Sequence, residues 1–84
     1  MNPLELLKEH LQNALNESTE SEDFKEALFD AQYAASLGQS ALNTIFQAWC
    51  MMPNEEILAC PHEIDYFRGC CFVEQQWHQI TGMF

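Results

Sequence analysis

Residues 24–52 read FKEALFDAQYAASLGQSALNTIFQAWCMM, and their apolar or small positions recur in alternating steps of four and three. The series is Phe24, Leu28, Ala31, Ala35, Gly38, Leu42, Ile45, Trp49 and Met52. That rhythm marks one helix face seated against another helix. The spacing keeps its phase through Gly38, so the reading is one long helix. Gly38 either permits close approach of a neighbouring backbone or marks a break, with Gln39-Ser40 as a new start. At about 1.5 Å per residue a continuous helix would be roughly 43 Å long. The rest of so short a chain could not wrap it, which points to helix-on-helix association, including association between copies.

The flanking sequence supplies two more helices. Asn2-Pro3-x-Glu5 has a capping residue, a proline suited to the first helical position and an acid in the first turn. Leu4, Leu7, Leu11, Ala14 and Leu15 then form one apolar stripe, broadened by Leu6. The polar run 16–23 separates this helix from the next. Either Thr19 with Glu22 or Ser21 caps the second helix, and Glu20, Glu22 and Asp23 suit its positive end. Pro53 ends the second helix, and residues 53–60 form a loop. A third helix runs from Pro61 or His62 to about Thr81, with Gly82 as its stop. It carries a second series, Tyr66, Cys70, Val73, Trp77, Ile80 and Phe84, with Ile64, Phe67, Cys71 and Phe72 on other faces. Valine occurs only at Val73, and no alternating β-type pattern is present. The expected fold is therefore all-α and a single domain over residues 1–84. It comprises three helices, the long central one pairing with the C-terminal one as an antiparallel hairpin within an oligomeric bundle.

In the 84-residue chain thirteen acidic residues face three basic ones, for a net charge of −10. Such a surface repels nucleic acid and anionic membranes, both of which are bound through Lys and Arg. It keeps an apolar bundle soluble and favours a basic protein partner. No apolar run approaches the ~20 residues that span a bilayer. The N-terminus lacks the pattern of a signal peptide. The chain is read as soluble and cytoplasmic, with its four cysteines as reduced thiols.

Candidate chemistry is sparse. Cys60, His62, Cys71 and His78 are possible zinc ligands, but the paired short spacings of zinc sites are missing. Compact buried thiols at helix contacts are the alternative reading. Cys60 near a helix start has no supporting base arrangement for nucleophilic catalysis, and no phosphate-binding loop occurs. No cofactor is implied and no enzymatic activity is expected. Arg68 pairs with Asp65 on its own helix, or with Glu55 or Glu56, or docks a partner carboxylate. The expected interface, between copies or with a partner protein, comprises Ala31, Ala35, Gly38, Leu42 and Trp49, with Tyr66, Arg68 and Trp77 opposite.

Pro61-His62-Glu63-Ile64-Asp65-Tyr66-Phe67-Arg68-Gly69, followed by a helix, resembles a feature of small helical proteins encoded by tailed phages. There a helix, a short acidic or proline-containing loop and an aromatic-Arg-Gly helix form a hairpin. The likeness runs from Leu42 onward. It departs after the glycine, where such helices are richer in Arg and Leu and this one reads Cys70-Cys71-Phe72-Val73-Glu74. The resemblance implies a non-enzymatic phage protein, either a minor virion or assembly component or a host-directed factor. A protein–protein interaction module is thus the leading expectation. The runner-up is an acidic inhibitor that mimics nucleic acid on a host DNA- or RNA-binding protein. Glu22, Glu26 and Asp30 lie on one side of the second helix, but the acids then stop until Glu55.

Overall fold

Gly38 bends the chain sharply, and the expected long helix is two helices. In the computed structural model, which describes residues 2–51 and 61–82, the backbone at Gly38 has φ 133° and ψ 178°. This is a conformation that residues with a Cβ rarely adopt. Four helices are present among the described residues: α1 (Pro3–Glu17), α2 (Glu22–Leu37), α3 (Gln39–Cys50) and α4 (Pro61–Thr81). The all-α class stands, while the three-helix architecture with a continuous helix through Gly38 is corrected. The expected loop over 53–60, the Pro53 stop, Met52 and Phe84 lie outside the described residues.

Each helix start has a local cause. Asn Oδ1 of Asn2 accepts from the Leu4 amide at 2.9 Å, and Pro3 opens α1. The Ser21 hydroxyl accepts from the Phe24 amide at 3.3 Å, making Ser21 the cap of α2, with Glu22 and Asp23 in its first turn. The carbonyl of Gly38 starts α3 by accepting from Leu42 N, while its own amide donates to the Ala34 carbonyl and closes α2. One glycine therefore ends one helix and begins the next. Gly82, at φ 71°, follows the last turn of α4.

The four-three series survives the bend because both halves face the same core. Phe24, Leu28, Ala31 and Ala35 of α2 are buried, as are Leu42 and Trp49 of α3. Helix α2 is the central element and packs on all three others, most extensively on α4. From α4 come Cys70, Val73 and Trp77, and from α1 the fully buried Leu7 and Leu11. Phe24 meets Phe72 at 5.9 Å between centroids, and Phe46 meets Trp77 at 6.3 Å. Helix α1 is further tied to α2 by Gln32, whose amide donates to the Lys8 carbonyl, and to α4 by His10 with Gln76. The helices α2 and α4 approach closely at Gly69, which lies against the Phe24 carbonyl and Ala27. Alanine on α2 and glycine on α4 are what permit that approach.

Candidate functional site

Opposite the buried stripe, α2 exposes large apolar side chains. Phe29, Tyr33 and Leu37 are 54%, 67% and 63% exposed. They recur every four residues, so they form one line along the outer surface of the helix. Solitary exposed hydrophobics are ordinary; a line of them bordering a groove is a mark of an interaction surface. Such a groove lies where α2 and α3 diverge from the Gly38 bend. Ala34, Ala41 and Ala48 leave a trough of about 430 Å³, and Tyr33, Leu37 and Ile45 stand along it. Small residues at those positions cannot fill the space between two helix backbones, which is why the trough exists.

A carboxylate is built into this groove. Asp30 lines it, and its Oδ2 accepts the Tyr66 hydroxyl at 2.8 Å. Tyr66 Oη in turn accepts from Trp49 Nε1 at 3.2 Å, and the two rings meet edge to face at 6.3 Å. The network joins α2, α4 and α3, and it orients the Asp30 carboxylate. Burial, reinforced by the bond to Asp30, pushes the Tyr66 phenol well above its ordinary value of 10.0. Its neutral form is favoured in the folded state. The contribution to stability is therefore complete below pH 10 and declines as pH rises above it, because the unfolded phenol ionises first. Tyr66→Phe leaves the Trp49 N–H without its acceptor and is expected to cost about 1–3 kcal/mol at neutral pH. Urea titrations of both proteins at neutral and high pH check this: the variant should also show the shallower alkaline loss.

The residues expected at an interface, between copies or with a partner protein, fall in different settings within the single chain. Ala31, Ala35, Leu42, Trp49 and Trp77 are all in the core of the single chain, so their packing surfaces are already covered. Gly38 is the bend itself, and Tyr66 is the half-buried centre of the polar network. Arg68 is exposed, with its guanidinium shared between Glu20 at 3.2 Å and Asp65 at 3.4 Å and set over the Phe24 ring at 5.6 Å. The Asp65 pair matches the expectation from spacing; Glu20, distant in sequence, adds a second acid. Hydrogen bonding to Glu20 is the foremost reason the Arg68 guanidinium holds its proton more tightly than usual. Asp65 also accepts from the Ser21 hydroxyl at 2.9 Å, so α4 is fastened to the capped start of α2. Glu55 and Glu56 lie outside the described residues.

Cys71 and His78 share α4, whereas Cys60 and the His62 side chain lie outside the described residues. Among the described residues no three His, Cys, Asp or Glu side chains gather as a metal-binding group. Burial raises the pKa of the Cys70 thiol strongly, and burial followed by Glu74 raises that of Cys71. Cys50 is exposed. Since the thiolate is the reacting species, alkylation at mildly alkaline pH should modify Cys50 well before Cys70, with Cys70 reacting only on unfolding. Peptide mapping by mass spectrometry checks the order, and equal rates at Cys50 and Cys70 would contradict the packing.

Phe29, Tyr33 and Leu37 were not singled out by the four-three series. Their own four-residue spacing on the face opposite that series is the signal that finds them. No helix among the described residues is long and apolar enough to cross a membrane. No family model, curated protein or solved structure matches this chain.

Proposed function

We propose that this chain is a non-enzymatic protein–protein interaction module whose docking surface is the outer groove between α2 and α3. The observation that carries the reading is the exposure of Tyr33 and Leu37 beside a trough floored by alanines. Aromatic anchors flanking an apolar recess are what a partner helix uses. Burying such a side chain in an interface is worth roughly 1.5–3 kcal/mol, so this line of residues can supply much of a binding energy. A minor virion, assembly or host-directed role, as implied by the phage-like segment Pro61–Gly69, would use such a module. Nucleic-acid mimicry is less well supported. The acidic face of α2 continues directly into Tyr33 and Leu37, an apolar surface without counterpart in a phosphate backbone.

The test is an NMR titration of the isotope-labelled chain with an uncharged amphipathic helical peptide carrying a leucine stripe. Amide shifts concentrated at Phe29–Leu37 and Ala41–Ala48, abolished by Tyr33→Ser with Leu37→Ser, are expected. Shifts confined to α1, or none at saturating peptide, would overturn the reading.

A further inference from the structure

Resting on that reading, we infer that the natural occupant of the α2–α3 groove is a basic amphipathic helix, and not a second copy of this chain. The groove offers a partner helix two kinds of contact. Toward the Gly38 end, Tyr33, Leu37 and Ile45 offer apolar walls. Toward the start of α2 the same outer face carries Glu22, Glu26 and Asp30 at four-residue steps. Glu22 and Glu26 are exposed, and the Glu22 side chain is 90% accessible. Asp30 stands at the junction, its carboxylate oriented through Tyr66 and Trp49. A carboxylate can accept from several donors, so the bond from Tyr66 leaves acceptor capacity for a cation.

Charge decides between the two occupants. The chain has three Lys and Arg residues in all, and each already has an acidic neighbour. Lys8 pairs with Glu5 at 2.9 Å, Lys25 approaches Glu22 at 3.9 Å, and Arg68 is held between Glu20 and Asp65. A second copy would bring another net −10 against this face and no cation to spare. A helix with apolar residues at i, i+3 or i+4 and i+7 would fill the trough, and Lys or Arg on its flank would meet the acids. Opposite charge would also speed the encounter and fix which end of the partner lies toward Glu22.

The experiment uses the full chain and helical peptides of about four turns with one leucine stripe and either Lys, Gln or Glu on the polar face. A Lys peptide of scrambled order, with no stripe, is the fourth probe. Calorimetry at low salt is expected to show the Lys peptide binding about tenfold tighter than the Gln peptide, with the Glu peptide weakest. The preference should shrink at about 1 M salt, where the screening length is about 3 Å. Glu22→Gln with Glu26→Gln should bring the Lys peptide close to the Gln peptide, while Tyr33→Ser weakens both. These residues are exposed, so the variants should keep the helical circular dichroism of the parent. Equal binding of Lys and Gln peptides at the groove would refute the basic partner and leave the docking surface standing. No groove binding by any striped peptide would refute the docking surface itself. Equal binding of the scrambled Lys peptide would reduce the effect to general charge attraction and overturn the proposal. Light scattering that shows a dimer dispersed by Tyr33→Ser would assign the groove to a second copy instead.

Discussion

Gly69→Ala is expected to lower the melting temperature by about 10 °C, and Gly69→Leu is expected to prevent folding. Both outcomes follow from the place where α4 crosses α2. A Cβ at position 69 would lie 2.5 Å from the Phe24 carbonyl oxygen and 2.7 Å from the Ala27 Cβ. Neither neighbour is the loose end of a flexible side chain. One is backbone and the other is fixed rigidly to it, so the helices themselves must separate. Overpacking of this kind costs roughly 1–3 kcal/mol, and a backbone clash lies at the upper end. Alanine recovers about 1 kcal/mol through its better helix propensity. The net loss is about 2 kcal/mol, and in a domain of this size each kcal/mol moves the midpoint by about 4–8 °C. Leucine adds bulk where the α2–α4 contact has no room. Thermal unfolding followed by circular dichroism measures both, and a Gly69→Ala midpoint at or above that of the parent would contradict the close approach.

Gly38→Ala is expected to change the assembly of the protein as well as its stability. Here space is no obstacle, because nothing lies within 4 Å of the position a Cβ would take. The penalty is conformational: φ 133° with ψ 178° is a region that essentially only glycine occupies, costing other residues about 1–3 kcal/mol. An alanine escapes that cost by taking helical angles, which fuses α2 and α3 into one straight helix. In that state Leu42 and Trp49 leave the core they share with Leu28, Val73 and Trp77. The same seats are open in a second molecule whose own α3 has swung away. Exchange of α3 between two chains restores every contact and avoids the strained residue, the route by which hinge variants swap domains. Gly38→Ala should therefore form a concentration-dependent dimer in light scattering, whereas the parent should not. A variant that remains monomeric with unchanged stability would show that the bend does not depend on glycine.

The two glycines also show which parts of the fold were legible in the sequence. Periodicity reports which face of a helix is buried, and it did so correctly for Phe24, Leu28, Ala31, Ala35, Leu42 and Trp49. It says nothing of whether consecutive helices are collinear. A single linking residue at Gly38 keeps both stripes facing a common core, so the rhythm runs on across a sharp turn. The cap at Asn2 was legible because it depends on residues close in sequence. For the same reason the choice narrowed to Ser21, or Thr19 with Glu22, at the start of α2 and to Pro61 or His62 at the start of α4; the structure selects Ser21 and Pro61. The bond from Tyr66 to Asp30 and the pairing of Arg68 with Glu20 were not legible, since they join positions that only the tertiary fold brings together. The groove falls between these cases. Phe29, Tyr33 and Leu37 share a four-residue spacing that the four-three series passes over, and the trough that Tyr33 and Leu37 line exists only because the chain turns back at Gly38.

That reversal determines the rest of the molecule: it places the four-three stripe inside one chain and leaves Phe29, Tyr33 and Leu37 exposed on the opposite face. Small-angle X-ray scattering of the unmodified protein over a concentration series tests it. A chain folded back at Gly38 should give a concentration-independent radius of gyration only slightly above the 12.4 Å of its Cα trace, the small excess coming from side chains and hydration. A radius that grows with concentration, with a distance distribution reaching far beyond the 40 Å long axis of the folded Cα trace, would contradict it. The stripe would then be joining chains instead of closing the core of one.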